Sequence, residues 1–362
     1  MQVKTRKKIP VGLLGATGMA GQRYLQLLEN HPWFDVVYLA ASPRSAGMKY
    51  REAVSGRWHM DSPMPKSVEG LTVQSIEKVK EASKECALVF SAVSSDVARN
   101  YEELYAKAGC AVVSNASAHR WTKDVPMVIP EINPHHLELI NIQRKKRKWK
   151  RGCLVTKPNC SLQSYLIALF ALDKIWKPKQ VLVTTLQALS GAGHPGVASL
   201  DAVDNVVPFI KGEEDKSEKE PSKILGHIHR GTIALRKKPV ISATCTRVPC
   251  IDGHLATVSV NFEKKPTKRQ IIKTWRNFRA LPQELELPSA PESPILYLEE
   301  DDRPQPRKDR MAGKGMAVTV GRLRPCPIFD HRFVCLSHNT IRGAAGGGVL
   351  IAELLLAEGY VE

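Results

Sequence analysis

The stretch Ile9-Pro10-Val11-Gly12-Leu13-Leu14-Gly15-Ala16-Thr17-Gly18-Met19-Ala20-Gly21 runs from an apolar segment into three glycines spaced three apart. Its first seven residues read as a buried strand, and Tyr24, Leu25, Leu27 and Leu28 give residues 21–29 the apolar face of a helix. A strand that enters GxxGxxG and leaves as a helix is a variant of the dinucleotide fingerprint. Its glycines let the backbone turn tightly and approach a pyrophosphate, which rests on the positive end of the helix. Gly15, Thr17, Gly18, Met19, Ala20 and Gly21 are therefore the expected cofactor contacts.

The next strand, residues 35–41, decides which dinucleotide. NAD-binding sheets usually place an acid at its end to bond the ribose 2′-hydroxyl. Here the chain continues Ser42-Pro43-Arg44-Ser45, an arginine between two serines. A guanidinium fork suits a phosphate, and the hydroxyls add donors, so the expected cofactor is NADP.

Residues 86–92 and 110–114 read as two further strands, with a helix around 97–108 between them. Strands alternating with helices predict an α/β fold, a Rossmann-type doubly wound parallel sheet. Beyond residue 158 a helix is expected to begin at Asn159-Cys160. Strand-like runs follow at 180–188, 241–249 and 255–262. Their alternation predicts a mixed or antiparallel sheet with one covered face, an α+β catalytic and dimerisation domain. Residues 211–220 (KGEEDKSEKE) read as a surface loop or helix start, 301–315 as a loop and 343–358 as a closing helix. The expected division is a dinucleotide domain over 1–157, completed by 339–362, with the catalytic domain over 158–338. A chain of 362 residues favours two domains on length alone.

Composition narrows the function classes. No stretch approaches the roughly 20 apolar residues of a membrane span. The basic N-terminus leads straight into a strand rather than a signal segment, so a cytoplasmic protein is expected. Eight cysteines without a CxxC pair predict free thiols and no metal site. The formal charge of +17 owes much to Arg144-Lys145-Lys146-Arg147-Lys148-Trp149-Lys150-Arg151. No aromatic strand signature or recognition helix accompanies it, so a solvated helix end is favoured over a nucleic-acid patch.

Cys160, in Lys157-Pro158-Asn159-Cys160-Ser161, is placed at an expected helix start, where the dipole favours a thiolate. The segments GATGMAG (15–21), PNCS (158–161), QALSGAG (187–193), EKEPSK (218–223), RVPCIDGH (247–254) and SHNTIRGAAGG (337–347) follow in this order. The ordered set resembles aspartate-semialdehyde dehydrogenases of the fungal and archaeal branch, over about residues 9–356. That resemblance implies attack of the Cys160 thiolate on the acyl phosphate of 4-phospho-L-aspartate. Phosphate leaves a thioester, hydride arrives from NADPH, and L-aspartate 4-semialdehyde is released, a step towards lysine, threonine and methionine.

The resemblance further implies that His254 is general base and acid and that Gln187 and Asn159 orient the acyl group. Arg247 would pair with the substrate carboxylate, Glu220 would receive its ammonium, and Lys223 and Arg120 would hold the phosphate. Ser190, Gly191 and Asn339 would lie against the cofactor, and the chain would form a homodimer or a tetramer. Ser161-Leu162-Gln163, His194 and the segment Ser91–Ser95 depart from the usual pattern of the resemblance without removing a catalytic group. Two rivals share the scaffold. An acyl-CoA reductase acting on malonyl-CoA would not need the ammonium-binding acid, and N-acetylglutamyl-phosphate reductases carry a glycine before the nucleophile.

Overall fold

The computed structural model describes residues 7–362. Its first six strands are β1 (Ile9–Leu14), β2 (Phe34–Ala41), β3 (Val73–Ser75), β4 (Leu88–Ser91), β5 (Ala111–Ser114) and β6 (Cys153–Thr156). They form one parallel sheet in the order β3-β2-β1-β4-β5-β6. This is the doubly wound order, which opens a ligand crevice between β1 and β4, where the strand order reverses. Val11, Leu13, Phe90 and Val113 are fully buried, as strands covered on both faces require. The helix Gly346–Ala357 packs back into this same core through Leu350, Ile351 and Leu354.

Eight more strands follow. They are β7 (Pro178–Gln187), β8 (His227–His229), β9 (Thr232–Ala234), β10 (Val240–Arg247), β11 (His254–Phe262), β12 (Ile295–Tyr297), β13 (Val318–Pro325) and β14 (His331–Ser337). β8 and β9 make a small hairpin, and the rest form a mixed sheet in the order β10-β7-β11-β14-β13-β12. Along β11 burial alternates residue by residue: Ala256, Val258 and Val260 are buried beneath helices Leu166–Trp176 and Lys268–Asn277. The opposite face keeps Leu182 and Val240 exposed.

The register sets the site. On neighbouring parallel strands Arg247 pairs with Gln187, and Leu255 of antiparallel β11 pairs with Leu186. Arg247, Gln187 and His254 therefore end three adjacent strands at one edge of the sheet.

Several expectations need correction. No α-helix begins at Cys160: a short 3-10 turn, Ser161–Ser164, precedes the helix Leu166–Trp176, so the nucleophile lacks a full helix dipole. Of the two readings of residues 211–220 the helix start holds: they open the helix Glu213–Ile224, whose Glu213, Ser217, Glu220 and Ile224 are buried on one face. The expected loop 301–315 carries the short helix Pro306–Asp309. β3, β6 and the strands from β12 onward escape the sequence reading because they are short or interrupted by charge. The basic run ends the helix Leu139–Arg147. Arg147 pairs with Asp124 and Glu103 and stacks on Trp149, and Arg144 bonds the Gly152 and Tyr360 carbonyls. Two of its seven cations are thus committed to the fold.

Candidate active site

At the crevice between β1 and β4, Gly15 has φ of 81°, and a Cβ there would stand 2.6 Å from the Ala92 carbonyl oxygen. Gly18 precedes the helix Met19–Leu28 without a side-chain cap, so Met19, Ala20 and Gly21 present the N–H groups that a helix start leaves unbonded. A Cβ on Gly21 would lie 2.3 Å from the Gly15 oxygen. That neighbour is backbone and cannot give way. Gly21→Ala should therefore cost about 1–3 kcal/mol of stability, as overpacking does, measurable by urea unfolding. After β2, Ser42 and Arg44 stand exposed on a 3-10 turn, whereas Ser45 is turned inward and buried. Two of the three expected phosphate contacts are thus exposed.

In the catalytic half, Cys160 Sγ lies 3.4 Å from His254 Nε2. The Ala188 N–H donates to His254 Nδ1 at 3.0 Å. That bond gives Nδ1 the lone pair, so the neutral ring carries its proton on Nε2, facing the sulfur. Burial first, then Arg247, His338 and Lys157, push His254 down to about 3. In this tautomer Nε2–H faces the sulfur as a donor. The thiol itself is pushed up by burial and Glu213, against the pull of Lys157, Arg120 and Arg247.

Glu213, absent from the sequence reading, is the hub of the site. Its carboxylate accepts from Asn159 Nδ2 at 2.9 and 3.0 Å, from Gln187 Nε2 at 3.2 Å and from Lys216 at 2.8 Å. The Asn159 amide is thereby tied to Glu213, with its oxygen accepting from Ser161, rather than free to orient an acyl group. Glu220 pairs with Arg120 at 2.8 Å and accepts the Asn159 backbone N–H at 2.7 Å. Lys223 departs from expectation most clearly. Its ammonium donates to the carbonyls of Arg120, Thr122 and Val125, which uses all three of its protons. It braces the loop that carries Arg120 and has no donor left for a phosphate. Arg247, buried at the end of β10, donates to the Ala188 carbonyl and has no ion-pair partner among the described residues.

Between the two halves Asn339 Nδ2 donates to Ser190 Oγ at 2.8 Å, and Ser190 Oγ donates to Asp252 at 2.7 Å. Asn339 Oδ1 accepts from the Gly253 N–H, beside His254. Gly191 lies over the catalytic pair: a Cβ there would meet Arg247 Nη1 at 2.9 Å and His254 at 3.0 Å. Asp252, also missed from sequence, ties this loop together. No cluster of metal-ligating side chains occurs among the described residues.

Two family models match the chain: semialdehyde dehydrogenase, NAD binding domain, over residues 10–140, and semialdehyde dehydrogenase, dimerisation domain, over 169–342. The chain belongs to the semialdehyde dehydrogenase family. Among its relatives, aspartate-semialdehyde dehydrogenase of Archaeoglobus fulgidus is 46% identical, covering 96% of this chain and 98% of that protein. Malonyl CoA reductase (NADP) of Metallosphaera sedula is 41% identical, covering 99% of both. The crystal structure of aspartate semialdehyde dehydrogenase with NADP from Candida albicans superposes with a TM-score of 0.89 at 40% identity, covering 97% of this chain and 99% of that one. Overall identity separates the two activities only slightly, so the substrate must be argued from the side chains.

This semialdehyde dehydrogenase buries further imidazoles. His136, whose Nδ1 and Nε2 meet Asn133 and the Gly226 carbonyl, is pushed down to about 4 by burial. A histidine whose folded value lies below its unfolded value of about 6.5 stabilises the fold above that pH and loses the contribution as pH falls. His136 and His254 should each cost about 2 kcal/mol at pH 5 relative to pH 7. A clearly lower Tm at pH 5, restored on return to neutral pH, is the expected calorimetric result.

Proposed function

We propose that this chain is an NADP-dependent, phosphorylating aspartate-semialdehyde dehydrogenase. The observation that carries the reading is the pairing, around Cys160, of an unmatched cation with two buried acids. Arg247 suits a substrate carboxylate, while Glu213 and Glu220 supply the negative field an α-ammonium needs. Malonyl-CoA offers the carboxylate but no ammonium to meet that field.

In the biosynthetic direction Cys160 Sγ attacks the acyl carbon of 4-phospho-L-aspartate, and the C–O bond to phosphate breaks to leave a thioester. NADPH held at the glycine turn would supply the hydride that reduces it. His254 Nε2–H donates to the acyl oxygen as negative charge gathers there, and the thiohemiacetal then releases L-aspartate 4-semialdehyde and the Cys160 sulfur. Arg120 lies beside the nucleophile's loop as the phosphate-facing cation. Gln187 and Asn159, both anchored on Glu213, hold the walls, and Ser190, Gly191 and Asn339 form the floor for the nicotinamide.

Gly15 and Gly21, where a Cβ would collide with backbone, allow the tight turn that offers the helix start to a pyrophosphate. Ser42 and Arg44 suit a 2′-phosphate. Arg44→Ala should accordingly raise the KM for NADP about tenfold, the worth of roughly 1.4 kcal/mol in one charge-assisted contact, while turnover at saturation is kept.

The division of the chain into a cofactor unit (1–157 with 339–362) and a catalytic unit (158–338) belongs to the same proposal. So does assembly as a homodimer or a tetramer through the catalytic unit. Leu182 and Val240 on the open sheet face, with Leu200, Val203, Val206 and Phe209 nearby in sequence, offer the apolar surface for it. Phosphate-dependent reduction of NADP by L-aspartate 4-semialdehyde tests the assignment. Silence with this aldehyde, together with oxidation of NADPH by malonyl-CoA, would assign the chain to the reductase side of its family.

A further inference from the structure

The loop that lies over Cys160 and His254 is fastened at its base and bare at its tip. The Leu189 and Ser190 N–H groups donate to the Cys250 and Ile251 carbonyls at 2.7 and 3.1 Å, and the Gly193 N–H returns to the Ser190 carbonyl. Residues 194–197 then make no hydrogen bond among the described residues. Glycines at 191, 193 and 196 leave this stretch few backbone restraints of its own. The tip instead meets a side chain from the dinucleotide-binding half. His194 stacks on His59, with ring centroids 3.8 Å apart and an interplanar angle of 16°.

His59 is firmly held. Its N–H donates to Gln22 Oε1 at 2.7 Å. Gln22 Nε2 donates in turn to the Arg57 carbonyl at 2.6 Å and to the Thr17 carbonyl at 3.2 Å. Gln22 is fully buried on the helix Met19–Leu28, and Thr17 lies inside the glycine fingerprint. Farther along, Trp58 Nε1 donates to the Ser62 carbonyl, and Gln26 Nε2 of the same helix donates to Ser62 Oγ. Residues 57–62 therefore move with the helix that follows the fingerprint. Burial first, then His194 and Arg57, hold His59 below its ordinary value. Its ring is neutral at pH 7, the form that stacks without charge repulsion.

We infer that His59 and His194 form a clamp across the mouth of the active site. His59 is a positioning residue: it holds residues 189–197 down over the catalytic pair and ties that closure to the fingerprint helix. Gly191, the part of the loop that covers the pair, would set a Cβ 3.0 Å from His254, so a small lift of the tip changes what covers the nucleophile. The same lift moves Ser190, whose hydroxyl joins Asp252 to Asn339 beneath the nicotinamide floor. Releasing the stack would thus loosen the grip on the cofactor and admit water to the acyl site.

The test has two readouts on the full-length protein. Hydrogen–deuterium exchange without ligand needs neither semialdehyde nor dinucleotide. His59→Ala should speed exchange of peptides covering 189–198 by about three- to tenfold, the worth of one aromatic pair, although the substitution lies in the other half. NADP affinity, read by fluorescence titration, should fall by a similar factor in His59→Ala and in His194→Ala. The double variant should bind no more weakly than either single one, because each removes the same contact. His194→Phe, which keeps an aromatic face, should recover most of the affinity.

Exchange of 189–198 in His59→Ala that overlays the wild type overturns the inference. So does unchanged NADP affinity in both single variants, or a double variant whose loss is the product of the two single losses. The second readout rests on the cofactor proposed above, and the two failures are separable. A wild type that binds no NADP removes that cofactor assignment, and the exchange of residues 189–198 alone then decides the clamp.

Discussion

Replacing Cys160 by serine is expected to lower semialdehyde oxidation by about 10⁴-fold or more, the scale on which loss of a covalent nucleophile is felt. An alkoxide in this site would have to form at a far higher pKa than a thiolate. The cations around it, Lys157, Arg120 and Arg247, already work against burial and Glu213. The substitution removes no hydrogen bond other than the one to His254 Nε2. NADP affinity and Tm should therefore stay near wild type, measured by fluorescence titration and calorimetry on the same preparation. A serine variant that retains a tenth of the activity would remove the thioester from the mechanism.

Arg342→Met should destabilise the protein by about 3–5 kcal/mol, because it leaves a buried carboxylate without its partner. The guanidinium is 1% exposed and grips Glu131 through two bonds of 2.5 Å, with a third from Nε to Gln163 at 3.1 Å. Glu131 precedes β6, Gln163 follows the nucleophile, and Arg342 sits one residue before Gly343, so one ion pair ties three segments of the site together. Urea unfolding of the single variant, and of Arg342→Met with Glu131→Leu, separates the causes. The double variant should recover much of the loss, since it removes the stranded charge. Equal instability of both would mean that the packing of the long side chain, rather than its charge, is what matters.

Four strands of the first sheet, β1, β2, β4 and β5, were legible as apolar runs, and the fingerprint after β1 fixed where the cofactor crevice would lie. Cys160, His254, Gln187 and Arg247 were legible only as an ordered set. Their meeting depends on the register of β10, β7 and β11, which alternation announces but does not align. Glu213 escaped for a definite reason: the face 213, 217, 220, 224 has helical spacing, but three of its four members are polar, so a search for apolar periodicity passes over it. Lys223 misled in the opposite sense. Its chemistry suits a phosphate, and only the three carbonyls around it reveal that it is already occupied. The tautomer of His254 depends on a single backbone N–H from another strand, which no pattern of residues records.

The helix Gly346–Ala357 fills the core of a sheet whose first strand begins at Ile9. During synthesis, then, the half that is made first is the half that must wait longest. Without that helix, Val11, Leu13, Phe90 and Val113 keep the cover of Tyr24 and Leu25 but lose that of Leu350, Ile351 and Leu354. A chain cut before residue 339 is accordingly expected to expose part of the first core, which binding of a hydrophobic dye would register.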